Sequence, residues 1–345
     1  MTVETFELAP GYRISRLLKG GWQLAGGHGS VEPGRAVADM AAFVERGITT
    51  FDCADIYTGV EELIGRARAA MPADLRARMQ VHTKLVPDLA SLATLRKADV
   101  EAIVDRSLRR LGMERLDLVQ LHWWDYAVPG WLEAAGWIAE LARAGKVARL
   151  GATNFDSVRA GQMLDAGLPL ASMQTQYSLL DARPENGLAA LCDRSSMKLL
   201  CYGVLAGGFL SGRWLGASEP PDVSFNRSLV KYKLIIDDFG GWELFQDLLR
   251  TLEGIARKHG VGIANVATRW VLDRPHVAGA IIGARYAANL GENLQVFTFA
   301  LDDADRAALA SVLAQRRGPE GDAYTLERDR EGRHGRIMKY NLNKE

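Results

Sequence analysis

Thr49-Thr50-Phe51-Asp52-Cys53-Ala54-Asp55-Ile56-Tyr57 decides the reading of this chain. The stretch continues an apolar, β-branched run from Ile48 and ends in two carboxylates and a phenol. A buried strand that turns polar at its C-terminal end is where an α/β protein keeps its chemistry. Two later runs end in the same way. Met79-Gln80-Val81-His82-Thr83-Lys84 delivers a lysine, and Leu116-Asp117-Leu118-Val119-Gln120-Leu121-His122 delivers an imidazole. An acid, a phenol, an ammonium and an imidazole at the ends of successive strands make a proton-transfer site.

Working outward, Phe6-Glu7-Leu8 and Tyr12-Arg13-Ile14 flank Pro10-Gly11 and predict a short hairpin. An apolar run from Leu17 to Leu24 is broken by Gly20-Gly21-Trp22, where glycine lets backbone approach a ligand. Gly26-Gly27-His28-Gly29-Ser30 reads as a loop. Val31 to Arg46 reads as a helix with Val37, Met40, Ala41 and Val44 on one face. Strands are then expected to begin at 17, 48, 79, 116, 147, 171, 198 and 277, with helices between them. Strict β/α alternation implies a parallel sheet, and eight such units favour a closed (β/α)₈ TIM barrel over an open doubly wound sheet. The open sheet also needs a G-x-G-x-x-G turn, which Gly26-Gly27-His28-Gly29 does not match. Residues 206–241 read as a long, irregular, Gly- and Pro-containing insertion. The charged tail 318–345 reads either as disordered or as docked on the barrel mouth or a partner chain. A single domain spanning 1–345 is expected.

The totals exclude several classes. The chain has 345 residues, with 42 Lys+Arg balanced by 42 Asp+Glu, so nothing in its charge favours nucleic acid or an anionic membrane surface. No apolar run reaches the roughly 18 residues of a membrane span. Met1-Thr2-Val3-Glu4 lacks a basic segment followed by an apolar core, so no export signal is expected. Cys53, Cys192 and Cys201 are odd in number and sit within expected strands or helices, which fits reduced thiols in a cytoplasmic protein. The six histidines show no metal-ligand spacing, and no G-x-S-x-G is present, so neither a zinc site nor a serine nucleophile is expected.

Asp52 followed by Tyr57, then Thr83-Lys84, then Leu121-His122, resembles the catalytic tetrad of the aldo-keto reductases, and the resemblance spans nearly the whole chain. Gly20-Gly21-Trp22 sits where that family carries its first cofactor and substrate loop. Thr153-Asn154-Phe155 resembles its Ser-Asn-Phe after the fifth strand. Gln174 falls at the glutamine that meets the nicotinamide carboxamide, and Tyr202, beside Gly203 and Leu205, at the ring that stacks on the nicotinamide. Ile281-Ile282-Gly283-Ala284-Arg285 through Glu292-Asn293 is similar to its adenosine-phosphate motif. The resemblance implies an NAD(P)(H)-dependent enzyme. Asp52, Tyr57, Lys84 and His122 would be catalytic. Gly21, Trp22, Asp52, Thr153, Asn154, Gln174, Tyr202, Gly203, Leu205, Gly283, Arg285, Asn289, Glu292 and Asn293 would contact the cofactor, and Trp22, Tyr57, His122 and Trp123 the substrate. Arg285 would pair with a 2′-phosphate, favouring NADP(H), and the 206–241 insertion would fold over the cofactor, with Arg213 and Arg227 as candidate pyrophosphate contacts. The family's usual basic residue four positions before the terminal Asn is here Asn289, a departure that weakens that preference.

The chemistry can be stated from the residues. Reducing a carbonyl needs a hydride on carbon, which is cofactor chemistry, and a proton on oxygen. Tyrosine is a poor acid near neutrality, and a neighbouring ammonium favours its phenolate. Lys84 is that ammonium, Asp52 keeps it charged and fixed, and His122 holds the substrate oxygen. Tyr57 is then general acid in reduction and general base in oxidation. Asp55 is left as a loop cap or surface charge, and Cys53 as core. The expected partner is a small-molecule carbonyl or alcohol, reached through an aromatic-walled pocket. The alternative is a nucleotide-binding regulatory subunit on the same barrel, as in the potassium channel β subunits. The chain begins only a few residues before its first strand, without an inactivation-type extension, which argues against that alternative.

Overall fold

The computed structural model describes residues 2–26 and 31–343. Apart from Gly26, the loop expected at Gly26–Ser30, with His28, lies outside them. The chain opens with the hairpin β1 (Thr5–Ala9) and β2 (Tyr12–Ser15), followed by β3 (Leu17–Gly20), α1 (Pro33–Glu45), β4 (Thr50–Asp52), α2 (Val60–Ala70), α3 (Ala73–Arg78) and β5 (Gln80–Leu85). Next come α4 (Lys97–Leu111), β6 (Leu118–Leu121), α5 (Trp131–Arg143), β7 (Leu150–Thr153), α6 (Ser157–Asp165), β8 (Leu170–Gln176), α7 (Leu188–Asp193) and β9 (Lys198–Tyr202). The chain continues through α8 (Arg227–Phe239), α9 (Trp242–His259), α10 (Ile263–Leu272), β10 (Val277–Ile282), α11 (Leu290–Leu294), α12 (Asp303–Leu313) and α13 (Thr325–Arg328). Strands β3 to β10 close into a parallel barrel in the order β10-β3-β4-β5-β6-β7-β8-β9. The expected (β/α)₈ architecture is therefore present, and each barrel strand lies where an apolar run was read.

The hairpin pairs antiparallel and fills one end of the barrel. Leu8, Tyr12 and Ile14 cluster with the barrel-interior residues Leu18, Leu118, Leu200 and Ala278. The Tyr12 hydroxyl lies 3.0 Å from His82 Nε2 inside the barrel. The helices cover the outside. On α1 the buried residues are Ala36, Met40, Phe43 and Val44, so the inward stripe is centred slightly away from Val37 and Ala41. The start of α1 is set by Pro33 at its first turn and by the Glu32 side chain, which accepts from Arg35 N.

The 206–241 segment is not irregular throughout. Asn226 Oδ1 accepts from the backbone N–H groups of Ser228 and Leu229 and starts α8. Leu229, Tyr232, Ile235, Ile236 and Phe239 form its buried stripe. Phe209 and Trp214 of the same segment do not overhang the site. They pack with Trp242 and Phe245 of α9 in an aromatic cluster, with ring centroids 4.8–6.1 Å apart. Phe225 is exposed.

The tail after α12 crosses the mouth of the barrel. Leu89 N donates to Tyr340 O at 2.9 Å, and Asn343 Nδ2 donates to Val86 O at 2.7 Å. Glu327 is buried and grips Arg183 through both carboxylate oxygens, at 2.9 and 3.1 Å. Arg183 also binds Asp181 at 2.9 and 2.7 Å, and Lys231 Nζ of α8 lies 3.4 Å from Glu327. Two carboxylates and two cations thus cancel in a buried cluster that joins the tail, α8 and the segment after β8.

Candidate active site

The barrel register brings the four expected groups together. Asp52 ends β4 and is paired in register with Gly20 on one side and His82 on the other. Lys84 sits two residues further along β5, so it projects into the barrel on the same side as His82. Its Nζ donates to Asp52 Oδ2 at 2.7 Å and to Cys53 O at 2.9 Å, and lies 5.0 Å from the centroid of the Tyr57 ring. The other Asp52 oxygen accepts from Gln174 Nε2 at 2.6 Å, with Gln120 Nε2 at 3.5 Å. Asp52 is thus wired to three strands, and Gln174 is occupied by the acid as well as facing the cavity.

Electrostatics follow from this burial. Desolvation disfavours the ammonium of Lys84, yet the charge and hydrogen bond of Asp52 outweigh it, and the lysine pKa rises above its ordinary value. Tyr57 is affected most by burial, which raises its pKa, while Lys84 pulls the other way and only partly offsets the rise. The expectation that Lys84 lowers the phenol is therefore met as an opposing effect, not as the net shift, in the protein alone. Burial and then the charge of Arg328 push the His122 pKa down to about 3, so the imidazole is neutral.

His122 Nδ1 lies 3.1 Å from Thr153 O. A carbonyl only accepts, so Nδ1 carries the proton in the neutral ring and Nε2 carries a lone pair. Nε2 is buried and has no protein partner, nor has Thr153 Oγ1. His82 is likewise buried, with its pKa pushed down to about 3, chiefly by desolvation. Both rings are neutral when folded and ionise more readily when unfolded, so their contribution is complete above the ordinary histidine pKa and is lost as pH falls from about 6.5 towards 3. Urea unfolding should give a stability at pH 5 lower by roughly 2 kcal/mol per imidazole than at pH 7.5. Equal values at the two pH values would contradict two buried neutral rings.

Asp52, Tyr57, Lys84, His122, Thr153 and Gln174 line one cavity of about 360 Å³. Trp22 stands against Tyr57 with ring centroids 5.0 Å apart, and Trp124 meets His122 edge-on at 4.3 Å. Of the expected cofactor contacts, Trp22, Thr153, Asn154, Gln174, Tyr202, Gly203, Leu205 and Gly283 line the same cavity. Tyr202 is held by a hydrogen bond from its hydroxyl to Asn154 Oδ1 at 2.9 Å. Gly203 has φ +71°, and a Cβ there would collide with the Tyr232 hydroxyl, so the turn after β9 needs glycine.

Several expected residues lie elsewhere. Trp123 is not part of the cavity wall. It is fully buried with its Nε1 donating to Val128 O at 2.9 Å, and Trp124, one residue on, takes the wall position. Gly21 does not line the cavity; its N–H donates to Asp52 O at 2.7 Å, and a Cβ would come within 2.8 Å of that oxygen. Arg285, Asn289, Glu292 and Asn293 follow β10 outside the cavity lining, with Asn289 and Glu292 exposed. Arg213 is exposed over the Trp214 ring, whereas Arg227, at the start of α8, does line the cavity. Asp55 is not a surface charge. It is buried, accepts from Val86 N at 3.2 Å and faces Arg106 at 3.8 Å, and burial raises its pKa.

The tail supplies residues that sequence reasoning did not single out as site members. Tyr324, Ile337, Met338, Lys339 and Leu342 line the cavity, as do Lys231 and Tyr232 of α8. Tyr324 stands edge-on to His122 with centroids 5.5 Å apart. The aromatic and apolar content of the tail was the available signal, but it carried no indication of which strand ends it would meet.

Among the described residues no group of three or more His, Cys, Asp or Glu could hold a metal ion, and no helix is long and apolar enough to cross a membrane.

Residues 16–314 match the Aldo/keto reductase family. The chain is 26% identical over 310 residues to the aldo-keto reductase YhdN of Bacillus subtilis, covering 88% of this chain and 91% of that one. It is 29% identical over 257 residues to flagellar radial spoke protein 5 of Chlamydomonas reinhardtii, covering 64% of this chain but only 49%, about half, of that longer protein. Among solved structures it is similar to a glycerol dehydrogenase of Gluconobacter oxydans, with a TM-score of 0.75, 27% identity and coverage of 93% and 98%. The barrel, the cluster at its mouth and the match across most of the length agree that the chain belongs to the aldo/keto reductase family.

Proposed function

We propose that this protein is an NAD(P)(H)-dependent oxidoreductase that interconverts a small alcohol and its carbonyl compound, with Tyr57 moving the proton. The observation that carries the reading is the Asp52–Lys84 pair at 2.7 Å beside the Tyr57 ring, in one cavity with an unpartnered His122 Nε2. A nicotinamide cofactor fits the residues present. The Tyr202 ring, the glycine-bordered turns at Gly203, Gly207, Gly208 and Gly283, and Arg227 with Ser228 at the N-terminal end of α8 all border the cavity, and the last pair suits a pyrophosphate. Bound there, the cofactor would supply or accept the hydride.

The chain's own groups handle the rest. Tyr57 keeps its proton at rest because it is buried. In reduction its hydroxyl gives that proton to the nascent alkoxide, and Lys84 stabilises the phenolate left behind. In oxidation the phenolate takes the proton back. Asp52 holds Lys84 charged and in place through both steps. His122, with its proton on Nδ1, offers Nε2 as an acceptor, which suits a second hydroxyl of the substrate, since the one proton of the reacting hydroxyl goes to Tyr57. The similarity to a glycerol dehydrogenase supports the alcohol side of the couple.

Turnover of a panel of aldehydes with NADPH and NADH, and of polyols and sugars with the oxidised cofactors, tests the reading. Tight nucleotide binding without turnover of any of them would replace it with the regulatory one. NADP(H) is the proposed cofactor, through Arg285. Arg285→Ala should raise KM for NADPH about tenfold or more, as expected for losing a charge-assisted hydrogen bond of ~1.5–3 kcal/mol, and leave NADH nearly unaffected. Equal changes for both cofactors would remove the 2′-phosphate role.

A further inference from the structure

Arg328 comes from the tail, beyond the residues that match the family, yet it reaches the strand ends that carry the site. Its guanidinium donates to Trp123 O, to Trp124 O at 2.9 Å and to Asn154 O at 2.7 Å. The first two carbonyls follow His122 at the end of β6, and the third follows Thr153 at the end of β7. The guanidinium also stacks on Tyr126, 3.8 Å from the ring centroid. One planar fork thus bridges the two strand ends that the bond from the His122 side chain to the Thr153 carbonyl also joins.

Asn154 makes the consequence specific. It is a non-glycine residue at φ +62°, in the left-handed region that few residues other than Gly and Asn occupy. Three contacts hold it there: its N–H donates to Gln174 O at 2.9 Å, its side chain accepts from Tyr202, and its carbonyl accepts from Arg328. Such a residue persists only where its surroundings over-determine it. The neighbouring Glu327 is locked to Arg183, so the short helix α13 cannot swing Arg328 away without breaking a buried ion pair. Adjacent residues of the tail therefore fasten it to the ends of three neighbouring strands, β6, β7 and β8.

We propose that Arg328 is a positioning residue for the reaction, which fixes the ends of β6 and β7 so that His122 and Asn154 face the same bound substrate and cofactor. The proposal rests on the oxidoreductase reading above. It makes the tail a working part of the site and not merely a cover.

The test uses Arg328→Ala and Arg328→Lys in the full chain, with Tyr57→Phe assayed in parallel. Activity is measured at saturating cofactor and substrate and expressed per cofactor-binding molecule, counted by quenching of protein fluorescence. Arg328→Ala should lower that kcat about 10- to 100-fold, the loss expected when a group shifts by about an ångström. Arg328→Lys should recover part of it, because an ammonium keeps the charge but cannot span three carbonyls as a fork. A merely structural arginine would change the unfolding midpoint and leave kcat per binding molecule unchanged, and that result would overturn the proposal. If Arg328→Ala does not fold, Arg328→Lys is judged alone: a reduced kcat upholds the proposal and the wild-type value overturns it. Full turnover by Tyr57→Phe would instead sink the reading of the site, whatever Arg328 does.

Discussion

Tyr57→Phe is expected to lower kcat by at least roughly 10²–10⁴-fold while cofactor binding is largely kept. The substitution keeps the ring that packs on Trp22 and beside Lys84, so the wall and the stacking survive. What it removes is the hydroxyl proton, and no other group at this position is both acidic enough and close to a stabilising ammonium. His122 does not substitute, because its proton is on Nδ1 and committed to Thr153 O. The loss should appear in the chemical step, read by single-turnover kinetics at saturating substrate. Undiminished turnover would show that the proton travels by another route.

Glu327→Ala is expected to destabilise the protein by roughly 3–5 kcal/mol, the cost of removing one partner from a buried ion pair. The carboxylate is nearly inaccessible and satisfies Arg183 twice and Lys231 once. Burial opposes its charge, but Lys231 and Arg183 prevail and hold its pKa below the usual carboxylate range. Without it, Arg183 keeps Asp181, but Lys231 loses the only carboxylate with which it forms an ion pair among the described residues. Urea denaturation gives the free energy, and limited proteolysis reports whether the tail beyond α12 has become cleavable. A change below about 1 kcal/mol, the scale of a surface pair, would mean that the cluster is effectively solvated.

The part of this protein that could be read from sequence is the part governed by local rules. A barrel strand is a short apolar run, and its position is visible because its neighbours are glycines, prolines and polar helix faces. All eight runs became barrel strands. Asp52 and Lys84 also meet for a local reason, since each lies at the polar end of its strand and parallel neighbours in register put those ends together. The alternation of side chains along a chain is less secure where a strand gives way to a loop. There the pleat no longer fixes which face a residue takes: Trp123 and Trp124 were both expected in the aromatic wall, and only Trp124 stands in it while Trp123 turns into the core. Asp55 caps a backbone N–H, as one of its two expected roles had it, but it is no surface charge: that N–H of Val86 and the guanidinium of Arg106 come from the residue after β5 and from α4, and nothing near Asp55 in sequence announces them. The helix α8 was legible in its spacing and its Asn226 cap, but the Gly- and Pro-containing residues before it masked the pattern.

By itself, then, the sequence determined the parallel barrel, because hydrophobic periodicity and strand order are properties of consecutive residues, and its resemblance to the aldo-keto reductases named which acid, phenol, ammonium and imidazole would meet at the mouth. Only the tertiary structure decided what stands over that mouth. Arg183 and Glu327 are 144 residues apart, and Arg328 and Asn154 are 174 apart. Ion pairs and hydrogen bonds between groups so distant depend on how the whole chain returns across the barrel, and no local pattern of charge or hydropathy specifies that path.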